Sequence, residues 1–153
     1  MSVSFTPYLS FQGQAREAMS FYQSIFGGEL KVTTFAEGNM GSEQGVNPDH
    51  VMHSQLDGPV PLMGSDVPEG IPFTQGSTIS MCFSGDAAGL DTCREYWAKL
   101  GDGGEVGMNL DLAPWGDYYG NLTDKYGVNW MFDFAAPEVP SDASSLHSHQ
   151  ANL

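Results

Sequence analysis

The chain has 153 residues, which suits one domain and leaves no room for a second core of full size. It carries 19 acidic against 5 basic residues, a formal charge of −14, so binding to nucleic acid or to an anionic membrane surface is disfavoured. No apolar run approaches the roughly 20 residues that cross a bilayer, and the N-terminus has no basic segment followed by an apolar one. We therefore expect a cytoplasmic protein with no membrane and no nucleic-acid partner.

The first half of the chain predicts one strand, one helix and three further strands. "TPYLSF" alternates as a strand, and Ala18, Phe21, Tyr22, Ile25 and Phe26 form one stripe of a helix over residues 15–26. Gly27-Gly28 ends that helix. "ELKVTTF" is typical of a strand, residues 37–49 are a Gly-rich loop, and "VMHSQLDG" and "VPLMGSD" flank a turn signal, "DGP".

The same order then recurs. "STISMCF" predicts a strand, and Leu90, Cys93, Trp97 and Leu100 share one side of a helix over residues 88–100. "GEVGMNL", "APWGDYYGNLTD" and "NWMFDF" supply the later strands. The segments "SFYQSIFGGEL" and "EYWAKLGDGGEV" match in pattern about half a chain apart, which predicts two copies of a β-α-β-β-β unit.

This organisation predicts a single domain over residues 1–136, made of two modules at about 5–70 and 77–135. Residues 137–153 are polar and contain two prolines, which is typical of a peripheral or disordered tail. His147 and His149 in that tail are interpreted as solvated. Cys82 and Cys93 are isolated from one another and are expected to be buried, reduced thiols.

Three segments carry a resemblance to a known family: "PYLSFQGQAREAMSFYQSIFGGEL", "MHSQLDG" and "WGDYYGNLTDKYGVNW". They resemble the PhnB-like subgroup of the vicinal-oxygen-chelate (glyoxalase/bleomycin-resistance/dioxygenase) superfamily, a subgroup also labelled demethylubiquinone methyltransferase-like. The resemblance implies an α+β fold in which two pseudo-symmetric β-α-β-β-β modules form a cupped mixed sheet with helices on the convex side. It also implies a homodimer and a small organic molecule as partner.

Metal-dependent members of the superfamily take their ligands from the first and last strands of each module. The corresponding segments here are 6–8, 62–64, 78–80 and 130–132, and none contains His, Glu, Asp or Cys. A divalent ion needs several such ligands at one point, so we expect no metal and no cofactor. His50 and His53 have a metal-like spacing only on a helix, whereas we predict a loop and a strand there.

The predicted ligand pocket combines aromatic faces with a few polar groups, as small-molecule sites do. His53 with Gln55 is interpreted as the inward polar face of a strand, although a histidine satisfied by a neighbouring carbonyl fits equally well. Trp130 is assigned to the core, because "NWMFDF" places Trp130 and both phenylalanines on one face. The pocket set is Tyr8, His53, Gln55, Ser80, Trp115, Asp117 and Tyr119.

Catalytic residues are left open. Cys82 is a candidate nucleophile only if a base lowers its pKa, and Asp117 with Asp133 is a candidate acid/base pair. The leading hypothesis is a metal-independent protein that binds a small organic molecule in the sheet cavity. The alternative is a lyase, isomerase or dioxygenase with a noncanonical metal site at His53 or Asp133. A third possibility is a filled cavity and a protein that acts through its dimer surface.

Overall fold

A computed structural model describes residues 2–138 of the chain. The chain divides into two compact units between Thr74 and Gln75, called here the first module (residues 2–74) and the second module (residues 75–138). Each contains one helix and four strands in the order β-α-β-β-β. The predicted α+β class and the duplicated β-α-β-β-β order are confirmed. His147 and His149 lie outside the described residues.

The first module forms a mixed four-stranded sheet with one helix. Its strands are β1 (Tyr8–Phe11), β2 (Glu29–Thr34), β3 (Val51–Asp57) and β4 (Leu62–Asp66), and its helix is α1 (Ala15–Phe26). The spatial order is β1-β4-β3-β2. β1 pairs with β4 in parallel and the other pairs are antiparallel, because β2, β3 and β4 follow one another without a crossover helix.

The buried face of α1 consists of small and large apolar side chains that pack against β2, β3 and β4. The predicted stripe is right except that Phe21 is only half-buried, while Met19 is fully buried. Gly27 ends the helix with a φ of 78°, a conformation that glycine adopts without a steric penalty. The six buried residues of α1 are Ala15, Ala18, Met19, Tyr22, Ile25 and Phe26.

The second module repeats this arrangement. Its strands are β5 (Met81–Gly85), β6 (Glu105–Leu112), β7 (Asp117–Thr123) and β8 (Asn129–Ala135), and a 3-10 turn over Ala87–Gly89 leads into helix α2 (Leu90–Gly101). The order β5-β8-β7-β6, with β5 and β8 parallel, matches that of the first module. The sequence repeat is therefore a structural repeat.

Two sequence predictions for the second module are wrong. The strand expected over residues 77–83 begins at Met81, because its pairing with β8 starts at Met81 and Trp130, and Ile79 before it is 79% exposed. Cys82 is exposed on β5 rather than buried, since alternate β5 side chains point away from the helix. Cys93 is buried on α2, as predicted.

The core of the second module lies between α2 and one face of its sheet. Trp130 and Phe132 of β8 are almost fully buried there, which confirms Trp130 as a core residue. The indole nitrogen of Trp130 donates to the buried carboxylate of Asp124 at 2.9 Å, so its polar atom is satisfied. No helix among residues 2–138 has the length and apolar character that membrane crossing requires.

Candidate functional site

Each helix covers one face of its own sheet, and the opposite face, called here the open face, holds the predicted site residues. In the first module the hydroxyl of Tyr8 and Nδ1 of His53 are 2.9 Å apart, and the two rings lie 5.6 Å apart between centroids. The partner of this histidine nitrogen is thus the Tyr8 hydroxyl. Tyr8 is 48% exposed, so the Tyr8–His53 pair can contact a ligand directly.

Gln55 lies two residues beyond His53 on β3, and strand alternation places it on the same face. Its side-chain amide donates to a carboxylate oxygen of Asp57 at 2.7 Å. This hydrogen bond uses one of the two donor hydrogens of Gln55 and leaves its carbonyl oxygen as an acceptor.

Aromatic and amide groups follow β7 on the open face of the second module. The rings of Trp115 and Tyr119 meet edge to face at 5.8 Å. Asn121 donates to the Tyr119 hydroxyl at 3.3 Å and accepts from the backbone N–H of Met108 at 3.1 Å. Tyr119 is therefore held between an aromatic neighbour and an amide that is itself fixed to β6.

Two carboxyl groups lie together beside Tyr119. Asp133 of β8 is the direct cross-strand partner of Tyr119, and its carboxyl is hydrogen-bonded to that of Asp117. Burial raises the pKa of Asp133, and the hydrogen bond and negative charge of Asp117 raise it further. Oδ1 of Asp133 is buried and has no hydrogen-bond partner, which adds to the cost of the ionised form.

A cleft of about 640 Å³ opens on the second module. Of the predicted pocket residues, Ser80 and Tyr119 line it, and Ser80 lies one residue before β5. Trp115 and Asp117 do not line the cleft: Trp115 contacts the ring of Tyr119, and Asp117 lies beside Asp133, the cross-strand partner of Tyr119. Further lining groups are Glu105, Asn121, Thr123, Asn129 and Met131.

Sequence reasoning missed Asn121 and Asn129 as lining residues. A usable signal existed for Asn121, because alternation along β7 places it on the same face as Asp117 and Tyr119. For Asn129 the alternation along β8 assigned the face correctly. The cleft beside Asn129 is also lined by Ser77 and Ser80, which precede β5, and no local sequence pattern shows that these segments meet.

The thiol of Cys82 also lies near the Asp117–Asp133 pair. Burial raises its pKa, and the negative charge of Asp133 raises it further. A raised pKa keeps sulfur in the unreactive thiol form, which is the reverse of what a nucleophilic cysteine needs. The thiol hypothesis therefore finds no support in the geometry.

The superfamily metal does not fit the residues present. Among residues 2–138, no group of three or more His, Cys, Asp or Glu side chains lies close enough to hold an ion. The strand positions expected to supply ligands carry Tyr8, Met63, Ser80 and Met131, which are neutral and weak donors for a divalent cation.

Two β-α-β-β-β modules with matching strand order and open sheet faces define a protein of the glyoxalase/bleomycin-resistance fold. Residues 3–132 match the family model described as 3-demethylubiquinone-9 3-methyltransferase. The chain belongs to this PhnB-like family.

Relatives agree with that assignment over most of the chain. Protein PA1353 from Pseudomonas aeruginosa is 30% identical with a TM-score of 0.75, over 89% of this chain and 100% of that one. A putative 3-demethylubiquinone-9 3-methyltransferase, the PhnB protein from Bacillus cereus, is 25% identical with a TM-score of 0.65, over 87% and 100%. Protein YjdN from Escherichia coli (strain K12) is 26% identical, over 84% of this chain and 92% of its own length.

Proposed function

We propose that the protein binds a small organic molecule in the cleft of the second module and that it does so without a metal ion. The observation that carries the proposal is the cleft of about 640 Å³. This volume falls in the range of roughly 300–1,000 Å³ that is usual for small-molecule sites. Its walls combine two aromatic residues, Tyr119 and Trp130, with several amides and hydroxyls, the mixture that binds and orients an organic ligand.

The chemistry of the walls favours a neutral, hydrogen-bonding aromatic ligand. The ring of Tyr119 offers a face for stacking, and Asn129 and Ser80 supply polar contacts at the ligand's rim. Glu105 lines the same cleft, and the Asp117–Asp133 pair lies beside Tyr119. Glu105 accepts a hydrogen bond from a hydroxyl-bearing ligand, and all three carboxyl groups disfavour an anion.

The family description supports the choice of a probe. It names demethylubiquinone, whose ring carries oxygen substituents, and guaiacol (2-methoxyphenol) is a small neutral molecule whose ring carries a hydroxyl and a methoxy oxygen. Benzoate is a probe of similar size that is anionic at neutral pH. The two probes differ in charge, which is the property that the carboxyl groups of the cleft should distinguish.

The test is a titration of the isotopically labelled protein followed by NMR. We expect guaiacol to shift the amides of residues 119–123 and 129–131, and benzoate to shift them little. Tyr119→Phe keeps the stacking face and removes the hydroxyl, whose hydrogen can be donated to the ligand, so it should weaken guaiacol binding by about two- to tenfold, the value of one hydrogen bond. Tyr118→Phe is the matched control, since Tyr118 packs under the guanidinium of Arg94, 4.8 Å from its ring centre.

If the amide signals of the cleft do not shift at millimolar guaiacol, this site does not bind such ligands. An equal effect of Tyr118→Phe and Tyr119→Phe would place binding elsewhere. The metal-dependent alternative at His53 or Asp133 gains no supporting observation, because the described contacts of these side chains are with Tyr8 and Asp117.

A further inference from the structure

A second cleft, of about 590 Å³, lies in the first module and shares no residue with the proposed site. It forms where the long β2–β3 connection, residues 35–50, meets the segment 67–71 that follows β4. Its main walls are Phe35, Val46, His50, Val67, Glu69 and Ile71.

Backbone hydrogen bonds hold the walls of this cleft in place. Val67 donates to the carbonyl of Phe11 at 2.7 Å, and Glu69 donates to the carbonyl of Gly45 at 2.9 Å. A Cβ at Gly45 would lie 2.7 Å from the carbonyl oxygen of Glu69, and Gly45 has a φ of 81°, so only glycine suits this contact. The two segments are thus joined by backbone and do not merely lie side by side.

A buried carboxylate fixes the inner end of the cleft. Asp66 is 3% exposed and accepts hydrogen bonds from the backbone N–H groups of Gly13, Ala15 and Val51, at 2.8, 2.9 and 2.9 Å. Gly13 follows the lining residue Gln12, and Val51 follows His50. Through these three bonds, Asp66 positions two lining segments that are far apart in sequence, so the cleft is pre-organised.

The walls are mixed, with polar groups from Gln12, Asn47, His50 and Glu69 beside an apolar patch. Val46, Val67, Pro68 and Ile71 provide aliphatic surface, and the buried ring of Phe35 closes one side. None of the described residues that line the cleft is Lys or Arg, and Glu69 supplies a carboxylate at its mouth. The net charge of −14 adds a long-range attraction for cations.

We propose that this cleft is a second ligand site, which takes a small organic cation with an apolar body, such as an arylalkylammonium ion. The apolar body lies against Phe35, Val46 and Ile71, and the ammonium group faces Glu69. Charge complementarity selects the cation, since an anion of the same shape meets Glu69 and a surface of the same sign.

The experiment compares phenethylammonium with phenylacetate, two probes with the same ring and opposite charge. Titration of the labelled full chain should shift the non-proline amides of residues 45–50 and 67–71 with phenethylammonium and leave them unmoved with phenylacetate. Glu69→Gln should weaken phenethylammonium binding by about two- to fivefold, as expected for a partly exposed charge pair. Val46→Trp should fill the cleft and abolish the shifts.

Glu43→Gln is the matched control, because Glu43 is an exposed carboxylate of the same connection that does not line the cleft. An equal loss for Glu43→Gln and Glu69→Gln would show a general effect of protein charge and overturn the proposal. The proposal is also overturned if phenethylammonium causes no amide shifts, or if phenylacetate causes the same ones. The guaiacol titration reports on the second module, so either site can fail without the other.

Discussion

The Asp117–Asp133 pair places two carboxyl groups where only one can be ionised at little cost. The pKa of Asp133 is raised above its ordinary value, chiefly by burial and then by Asp117. A carboxyl with a raised pKa in the folded state stabilises the protein fully below the unfolded pKa of about 4. That stabilisation is lost as pH rises through the folded pKa, so the pair opposes folding at neutral pH.

We therefore expect Asp133→Asn to be more stable than the natural protein at pH 7.5. The pair is partly exposed, so the gain in free energy of unfolding should be below about 1 kcal/mol. Urea unfolding at pH 7.5 and pH 4.5 measures it, and the gain should shrink at the lower pH. Asp111→Asn, an exposed carboxylate on β6, should show no such gain. This account is wrong if the gain in free energy of unfolding of Asp133→Asn over the natural protein is no larger at pH 7.5 than at pH 4.5.

At the level of elements, Asp66 joins α1, β3 and β4 through one side chain. Its hydrogen bond to Ala15 satisfies a donor at the start of α1, where Gln14 provides no side-chain cap. Asp66→Asn replaces one acceptor oxygen by an N–H₂ group that cannot accept from a backbone donor. We expect a loss of about 2–4 kcal/mol in the free energy of unfolding, measured by urea titration, because buried donors lose their partner.

Asp49→Asn provides the comparison, as Asp49 is an exposed carboxylate close by in sequence whose only described hydrogen bond is through its backbone N–H. That variant should match the natural protein within about 0.5 kcal/mol. A loss at Asp49 as large as at Asp66 would mean that general charge, and not the three backbone contacts, determines the effect.

The elements themselves were largely predictable, since their signals are local. Helix α1 was predicted over its observed residues because an apolar stripe and Gly27 mark its face and its end. The start of β5 was predicted four residues early, because pairing with β8 sets it and that partner is distant in sequence. The role of Asp66 and the first-module cleft were missed for the same reason: their contacts join residues 11–15, 45–51 and 66–71.

The candidate site was predicted in part. Alternation along β3 gave the shared face of His53 with Gln55, whereas Asp117 and Tyr119 were assigned to the pocket from the family resemblance. The Tyr8–His53 hydrogen bond and the Asp117–Asp133 contact need the sheet order, which alternation does not provide. The residues, and Asp117 with Asp133 as a candidate pair, could be proposed from the sequence, whereas the Tyr8–His53 contact required the structure.

For the whole molecule, β6 offers a surface on which two copies can meet. β6 is the outer strand of its sheet, and Val106, Met108 and Leu112 are 47%, 54% and 58% exposed. Residues 106–110 carry no charge, so a contact there brings no like charges directly together, and only the long-range repulsion between two chains of charge −14 opposes it. An exposed apolar edge strand is a ready template for pairing with another strand.

We propose that the protein is a homodimer formed through β6. Sedimentation at micromolar concentration should give twice the chain mass of 16.5 kDa, with tighter association in higher salt because screening reduces the repulsion. Met108→Lys should weaken association by about tenfold or more, since it places a charge on the edge of each copy. Met40→Lys changes a methionine that is 42% exposed in the first module and should leave the dimer intact. A monomer under all these conditions, or a dimer that Met108→Lys does not weaken, would exclude β6 as the interface.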